Sequence, residues 1–372
     1  MPALSIMVKP ASGLCNMRCK YCFYNQVVSS RKEGQLGVMS FDTADNLIKK
    51  ATDFANGDTI YIVFQGGEPL LAGKEYFKHF VDMALSIGYS GKINYSLQTN
   101  ATLIDDEWAE FFKKNNFLIG VSLDGDIVSN KFRVMADGSG SFDSIEKGIE
   151  LLEKHKVDYN ILSVVTGYFA DNLESIYRYF KAKGYKFLQF IPCLKPFNCD
   201  ETSELYMTEL QYQNYLIKLF KLFAKDFLND NYISIRSMDN LVRLFAGSSA
   251  SQCGMNGVCS RQFVIEGNGN IYPCDFYCTD EWLLGNINNT DFRAIFMCEK
   301  AIKFLKESYI VNEKCKSCEC FKICRGGGCK REKLSIEYCN AFKNFYRKCE
   351  PLFKKVLAKL QVSIWNCNNN KL

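Results

Sequence analysis

Residues 15–23 read Cys-Asn-Met-Arg-Cys-Lys-Tyr-Cys-Phe, which places Cys15, Cys19 and Cys22 within one short segment. The segment closely follows Leu4–Lys9, an apolar run with the composition of a buried β-strand. Three thiolates at this spacing can hold three irons of a four-iron cluster and leave the fourth iron without a protein ligand. A zinc site, the alternative, would need a fourth cysteine or histidine from elsewhere in the chain. The segment therefore predicts a metal centre in the loop after the first strand.

The composition agrees with a thiolate-bound metal. The chain has 372 residues, with 18 cysteines and only two histidines. This cysteine density is below that of disulfide-stapled mini-proteins, and a chain of this length does not need such staples. Because a cytosol keeps thiols reduced, the cysteines point to iron–sulfur or zinc. With only two histidines in the chain, acid–base catalysis by histidine is nearly excluded.

Charge and hydropathy exclude two classes of partner. The net charge is only +5, from 46 basic and 41 acidic residues without a basic block, so we expect no nucleic acid. No stretch approaches the roughly 18 consecutive apolar residues of a transmembrane helix, so we expect no membrane. The first residues lack the charged-then-apolar pattern of a signal peptide, and we expect the chain to be cytoplasmic.

Short β-rich runs alternate with helical patterns in the amino-terminal half. The predicted strands are Leu4–Lys9, Ile60–Phe64, Ile93–Gln98, Leu118–Leu123, Tyr159–Val165 and Phe187–Ile191. Ser40, Asp105 and Ser141 are expected to cap three of the intervening helices. Two longer helices are predicted over Thr208–Leu228, opened by a capping box, and over Asn340–Leu360. Six βα units in series predict an α/β fold, a partial (β/α)6 barrel of the TIM type.

Unusual residues follow these strands, where a barrel carries its functional loops. The segments after the second, third, fourth and sixth strands are Gln65–Pro69, Gln98–Asn100, Ser122–Gly125 and Pro192–Leu194. In the first of them, Gly66 and Gly67 would let the backbone approach a ligand closely, and Glu68 supplies an acceptor for an ammonium group. A Gly-Gly pair alone is more often a plain turn, so its place after a strand matters.

The alternation of predicted strands and helices ends near residue 236, where cysteines and glycines become frequent. Glu266–Asn270 separates two short apolar runs and predicts a hairpin. Residues 311–339 show little regular structure apart from cysteines, so metal ligation must organise them. We therefore predict a barrel domain over residues 1–235 and a cysteine-rich, loop-dominated domain with a C-terminal helix over residues 236–372.

Eight further cysteines form two patterns. They are Cys253, Cys259 and Cys274, then Cys315, Cys318, Cys324, Cys329 and Cys339. Eight thiolates can saturate two four-iron clusters. Structural zinc is the alternative; it would explain folding but not redox-capable centres beside the barrel. Cys278, Cys320 and Cys349 lie nearby and compete for these ligand positions.

The amino-terminal cysteine motif, with its aromatic neighbours, resembles the radical S-adenosylmethionine (SAM) superfamily. The resemblance implies that the open iron chelates the amino and carboxylate groups of SAM, whose cleavage yields a 5′-deoxyadenosyl radical. It implies that Gly66, Gly67 and Glu68 form the motif that holds the methionine amino group. The implied contacts of the ribose and carboxylate are Ser122 and Arg133, and those of the adenine are Tyr21 and Leu194.

The cysteines of the second half resemble the SPASM domain of peptide-modifying radical SAM enzymes. The resemblance implies three [4Fe–4S] clusters in all, with two interleaved auxiliary ligand sets. These sets are Cys253, Cys259, Cys274 and Cys329, and Cys315, Cys318, Cys324 and Cys339. The chain departs from the usual pattern in its extra glycine at Gly326–Gly328 and in the short gap between Cys329 and Cys339.

One further segment indicates which subfamily the chain resembles. Residues 272–277 read Tyr-Pro-Cys-Asp-Phe-Tyr and closely resemble the anaerobic sulfatase-maturating enzymes, as does most of the chain. Other matching stretches are Lys9–Ser12, Phe64–Pro69, Ser96–Asn100 and Phe187–Phe190. The resemblance implies that Asp275 is the substrate base in the oxidation of a sulfatase cysteine, or serine, to Cα-formylglycine without oxygen. A carboxylate base also fits the scarcity of histidine.

The implied partners are an unfolded or nascent sulfatase with a Cys-x-Pro-x-Arg sequence, and an electron donor such as ferredoxin or flavodoxin. One alternative keeps the radical chemistry but forms a thioether or carbon–carbon crosslink in a peptide. Such maturases often carry an added N-terminal peptide-binding module, for which the segment before Cys15 leaves no room. A second alternative, a ferredoxin-like carrier or zinc-organised binding protein, gives no use to the Gly66–Glu68 motif.

Overall fold

A computed structural model describes residues 4–195, 203–331, 333 and 336–369. The strands are β1 (Leu4–Val8), β2 (Ile60–Phe64), β3 (Ile93–Thr99), β4 (Leu118–Ser122), β5 (Tyr159–Val165), β6 (Phe187–Pro192), β7 (Ser234–Ile235), β8 (Phe263–Ile265), β9 (Asn270–Tyr272) and β10 (Gly285–Asn286). The helices are α1 (Phe23–Ser29), α2 (Phe41–Ala55), α3 (Lys74–Ser86), α4 (Asp106–Lys114), α5 (Phe142–Lys154), α6 (Gly167–Asp171), α7 (Leu173–Ala182), α8 (Glu209–Leu228), α9 (Arg236–Phe245), α10 (Phe292–Met297), α11 (Glu299–Ser308), α12 (Phe321–Cys324) and α13 (Ile336–Asn369).

The chain forms two compact units. The first comprises Met1–Leu123, Asn130–Asn160 and Arg261–Leu305, and the second comprises Asp124–Ser129, Ile161–Ser260 and Lys306–Leu372. In the first unit the strand order is β10-β9-β8-β1-β2-β3-β4, and β1 to β4 pair in parallel. In the second unit β6 pairs in parallel with β5 and with β7. The predicted strands thus form within one residue of their expected ends, and the prediction of an α/β fold with parallel strands is confirmed.

The hairpin of β8 and β9 forms as predicted, but its position was not anticipated. β8 pairs in parallel with β1, with Ile6 opposite Phe263 and Val8 opposite Ile265. The hairpin therefore extends the first unit's sheet at the edge of its first strand. This pairing places the chain after β9 in the same unit as the loop after β1. The position matters because functional loops follow strand ends.

All three predicted cap residues occupy the N-cap positions of their helices, and two of them cap through their side chains. The side chain of Ser40 accepts a hydrogen bond from the Thr43 amide, and that of Asp105 accepts one from the Trp108 amide. Ser141 is the N-cap residue of α5, as expected, but its side chain does not cap the helix. Its hydroxyl donates to the Arg133 carbonyl at 2.7 Å and lies 3.2 Å from the Asn130 side-chain amide, and it makes no cap bond to its own helix.

Aromatic side chains fill the core of the first unit. The Phe64 ring centroid on β2 lies 4.9 Å from that of Phe77 and 5.1 Å from that of Phe80, both on α3. All three side chains are fully buried. Each contributes on the order of 2 kcal/mol through burial, so α3 is fixed against the sheet. The second strand therefore ends at a rigid point, where the Gly-Gly loop begins.

The second unit is held by a long helix pair. α8 begins with the predicted capping box of Thr208 and Gln211, and α13 packs along it with Phe353 stacked on Phe220 at 3.8 Å between ring centroids. α13 is longer at both ends than the predicted Asn340–Leu360. The expectation of little regular structure before it is corrected by α12 and by a 3₁₀ turn at Glu313–Cys315. Across the described ranges, no helix has the length and apolarity to cross a bilayer.

Candidate functional site

The loop after β1 carries the amino-terminal cysteine triad, whose three side chains are half-buried and unbridged. The Met17 amide donates to the Cys15 sulfur at 3.4 Å. Burial, together with the nearby Glu68, Cys19 and Cys22, raises the pKa of Cys15 to about 12. Crowded, partly desolvated thiols ionise readily only when a cation joins them, so the donor set fits a metal cluster.

A site for a single metal ion is the alternative to a cluster. Within residues 4–195, 203–331, 333 and 336–369, no three His, Cys, Asp or Glu side chains converge on a point that would hold one metal ion. A four-iron cluster is held differently, with each thiolate on its own iron. The cluster ligation by Cys15, Cys19 and Cys22 stays a prediction.

The Gly66–Gly67 loop lies against the backbone of the cysteine loop. The Gly67 amide donates to the Ser12 carbonyl at 2.8 Å, and the Glu68 amide donates to the Leu14 carbonyl at 2.7 Å. A Cβ at Gly66, where φ is +122°, would come within 2.8 Å of the Ser12 oxygen, and one at Gly67 within 2.0 Å of the Leu14 oxygen. Neither position has room for a side chain, so both glycines are required for this close approach.

Glu68 is buried at the start of a 3₁₀ turn, and its carboxylate accepts hydrogen bonds from other residues of the protein. Oε1 accepts hydrogen bonds from the Leu70 amide at 3.1 Å and the Thr99 hydroxyl at 2.8 Å, and Oε2 accepts one from the Asn100 amide at 2.8 Å. Burial raises the pKa of Glu68 to about 7, although these three bonds oppose the shift. Glu68 thus fastens two loops together, and its contact with a SAM amino group stays a prediction.

The other predicted SAM contacts divide between the units. In the first unit, the Arg133 guanidinium lies 5.5 Å from the centroid of the buried Tyr21 ring, and the Ser122 hydroxyl accepts from the Gln98 amide at 2.9 Å. In the second unit, Leu194 lies in the loop after β6 and lines a cavity of about 620 Å³. The roles of these residues toward SAM stay predictions.

Asp275 lies just past β9, in a short 3₁₀ turn, with its side chain 12% exposed. Its Oδ1 forms an ion pair with the ammonium of Lys9, which is fully buried. Its Oδ2 accepts a hydrogen bond from the Gln65 side-chain amide at 3.2 Å. The predicted base is therefore bound to the residues that follow β1 and β2. Lys9 and Gln65 lie within motifs of the sequence, but no pattern there gave either residue a role.

A second buried carboxylate, Glu266, stands at the other end of the hairpin. It forms an ion pair with Arg31 at 2.6 Å and accepts hydrogen bonds from the hydroxyls of Ser12, at 2.7 Å, and Tyr24. Burial alone would raise its pKa, but the charges of Lys9 and Arg31 lower it below the usual value. The sequence presented Glu266 only as a turn residue, because nothing local marks a buried acid.

The second unit contains seven of the eight auxiliary cysteines. A hydrogen bond from the Cys329 thiol is the main cause that lowers the pKa of Cys259 to about 6. Burial, with the neighbouring Cys339 and Cys315 among the further causes, raises the pKa of Cys324 to about 11. Cys259 thus neighbours Cys329, and Cys324 neighbours Cys315 and Cys339, which is compatible with the interleaved sets.

The competing cysteines are all buried. Burial, with the nearby Cys318 and Cys324 among the further causes, raises the pKa of Cys320 to about 12. Cys278 lies next to Cys274, with its sulfur 3.6 Å from the Cys274 carbonyl. Burial raises the pKa of Cys349 to about 11. Proximity alone therefore leaves Cys320 and Cys278 as rivals, and the ligand assignment stays a prediction.

Two family models match the chain. The radical SAM superfamily model matches residues 10–181, and a model described as an iron–sulfur cluster-binding domain matches residues 253–319. These matches cover the regions of the amino-terminal triad and of the first auxiliary cysteines. An iron–sulfur protein with a radical SAM region is therefore confirmed.

Whole-length relatives narrow the family. The chain is 42% identical to a cysteine-type anaerobic sulfatase-maturating enzyme of Clostridium perfringens (strain 13), over 94% of this chain and 97% of the relative. A second relative with that name, from Clostridium novyi, is 39% identical over 94% of this chain and 96% of its own length. A solved structure described as "Native anSMEcpe with bound AdoMet and Kp18Cys peptide" matches with a TM-score of 0.90 and 39% identity, covering 96% of this chain and all of the other. These likenesses confirm the predicted fold class, a partial barrel followed by a SPASM domain. The chain therefore belongs to the anaerobic sulfatase-maturating enzymes of the radical SAM superfamily.

Proposed function

We propose that the chain oxidises a cysteine of an unfolded or nascent sulfatase, within a Cys-x-Pro-x-Arg sequence, to Cα-formylglycine. One observation carries the proposal: the Asp275 carboxylate is bound to Lys9 and Gln65, at the ends of the two strands whose loops carry the cysteine triad and the Gly-Gly motif. A carboxylate there can serve as base beside a radical-generating centre. The whole-length similarity to cysteine-type relatives supports a cysteine as the preferred substrate.

The proposal assigns three clusters and one SAM to particular residues. Cys15, Cys19 and Cys22 would hold the SAM-binding cluster, and the two interleaved cysteine sets would hold the auxiliary pair. The proposed SAM contacts are Tyr21, Gly66, Gly67, Glu68, Ser122, Arg133 and Leu194. When bound, these groups supply hydrogen-atom removal from the substrate Cβ and acceptance of the electron that the oxidation releases.

Within this scheme Asp275 takes the proton of the substrate thiol. Removing that proton makes the adjacent carbon centre a stronger reductant, so the substrate is directed toward oxidation. Water then adds to the resulting thioaldehyde, and hydrogen sulfide leaves to give the aldehyde. The 12% exposure of the Asp275 side chain leaves the carboxylate open to a substrate and limits competing water.

We propose further that ferredoxin or flavodoxin supplies the reducing electrons and that the protein works in the cytoplasm. The cysteines whose side chains the structure describes form no disulfide, which fits a reducing compartment. The domain boundary between residues 235 and 236 stays a prediction.

Anaerobic incubation of the reconstituted protein with SAM, dithionite and a Cys-x-Pro-x-Arg peptide tests the proposal. We expect 5′-deoxyadenosine together with the mass change of –CH₂SH becoming –CHO. A serine peptide in parallel measures the substrate preference. Loss of two hydrogens with sulfur retained would instead favour crosslinking, and SAM cleavage without any peptide product would contradict the proposed reaction.

Asp275→Asn tests the base. This variant keeps the shape of the side chain, so it should still cleave SAM while forming formylglycine about 10²-fold more slowly or worse. The matched control is Asp82→Asn, at an exposed position on α3. Product formation by Asp275→Asn at the wild-type rate would refute the assignment.

A further inference from the structure

We propose that Lys9 is a positioning residue for the substrate base, holding the Asp275 carboxylate in the orientation that receives the substrate proton. The inference rests on the proposed function, because it presumes that Asp275 is the base. It adds a residue whose contribution is geometric and which touches neither substrate nor cofactor.

The Lys9 ammonium is confined on two sides. Its Nζ forms the ion pair with Asp275 Oδ1 and lies 3.4 Å from the centroid of the Tyr24 ring. Its side chain is fully buried. An ammonium between a carboxylate and an aromatic face has few alternative positions, since each displacement exposes a buried charge to apolar surroundings.

The backbone and stem of Lys9 are equally constrained. Its amide donates to the Ile265 carbonyl at 2.8 Å, which continues the pairing of β1 with β8. A Cβ placed on Gly66 would lie 3.2 Å from the Lys9 Cβ and 3.3 Å from its Cγ. The missing side chain of Gly66 therefore makes room for the lysine stem as well as for the cysteine loop.

Both oxygens of the base are thereby fixed. Lys9 binds Oδ1, and the Gln65 amide donates to Oδ2 at 3.2 Å. An ion pair on one oxygen and a hydrogen bond on the other, from separate segments of the chain, restrict the plane of a carboxylate, whereas one partner would leave it free to rotate. The lone pairs left for the substrate then point in set directions.

Charge balance explains why a lysine is needed. Glu266 is already paired with Arg31, so Lys9 is the cation that directly pairs with Asp275 among the described residues. Without it, two buried carboxylates would share one cation, and Asp275 would rotate toward solvent or toward the remaining donor. A purely space-filling lysine would make no such difference to the base.

Lys9→Met keeps the length of the stem and removes the charge. Formylglycine and 5′-deoxyadenosine are measured in the same anaerobic reactions for wild type, Lys9→Met, Asp275→Asn and the double variant. We expect formylglycine per SAM cleaved to fall about 10- to 100-fold in Lys9→Met, while SAM cleavage stays near the wild-type rate. If Lys9 acts through Asp275, the double variant should match Asp275→Asn, because the second substitution then removes nothing more.

A ratio of two products separates positioning from damage, because partial unfolding lowers both products together. Lys49→Met, at an exposed position on α2, is the matched control and should leave the ratio unchanged. If Lys9→Met alone does not fold or load iron, the double variant Lys9→Met/Asp275→Asn, in which neither charge is buried without its partner, is compared with Asp275→Asn alone. A wild-type ratio in the folded lysine variant, or additive losses in the double variant, would overturn the inference. Absence of formylglycine from wild type would instead refute the proposed function.

Discussion

Replacing Gly67 by alanine should disable the loop that carries Cys15. The new Cβ would lie 2.0 Å from the Leu14 carbonyl oxygen and 2.7 Å from its carbon. Comfortable contacts lie near 3.5 Å, so one backbone must retreat by more than about 1 Å. Because both atoms belong to the main chain, no side-chain rotation can relieve the clash.

The energetic cost follows from what must move. Overpacking costs about 1–3 kcal/mol. The retreat also weakens the bonds from the amide of Gly67 to Ser12 and from that of Glu68 to Leu14, at about 1 kcal/mol each. The sum, roughly 3–5 kcal/mol, is a large share of the ~5–15 kcal/mol by which domains are stable. A displacement of this size at a reacting centre can lower a rate on the order of 10²-fold.

The assay is the rate of 5′-deoxyadenosine formation, measured with the iron content of the anoxically purified protein. The matched control is Gly140→Ala, because a Cβ there meets nothing within 4 Å. We expect Gly67→Ala to lose cluster iron or SAM cleavage, and Gly140→Ala to retain both. Equal rates and equal iron in the two variants would show that the loops are not packed as described.

Two further predictions concern the free energy of unfolding and the iron content. Burial raises the pKa of Glu68 to about 7, so the folded state holds its proton below that pH and the stability gained from it is lost as pH rises. Relative to Glu68→Gln, wild type should therefore lose about 1 kcal/mol between pH 6 and 8, and equal urea midpoint differences at both pH values would contradict this. Cys324→Ala should lower iron per chain by about a third, whereas Cys320→Ala should not; the reverse result would exchange their roles.

Local features were predictable because their causes are local. Asp105 caps α4 through an amide three residues away, and the apolar run Ile60–Phe64 became a strand with its predicted ends. Ser141 shows the limit of this reasoning. It stands where a cap is expected, but the Asn130 and Arg133 segment engages its hydroxyl, and no local pattern reports that competition.

The candidate site was predictable where residue types are chemically rare. Three close cysteines and two adjacent glycines restrict the chemistry by their types and spacing alone. Lys9 and Glu266 are of types that are ordinarily exposed, so their burial could not be read from their neighbours in sequence. Their burial depends on the pairing of β1 with β8, which joins segments that are distant along the chain.

That pairing has a consequence for how the base is assembled. The hairpin contributes two buried carboxylates, Asp275 and Glu266, and the amino-terminal segment contributes two buried cations, Lys9 and Arg31. Each pair is favourable only when both members are present, since a single buried charge left alone is strongly destabilising. Docking of the hairpin and orientation of the base are therefore one event. A chain that failed to pair β8 with β1 would leave both cations without their carboxylate partners. It would also have no positioned carboxylate beside the cysteine loop.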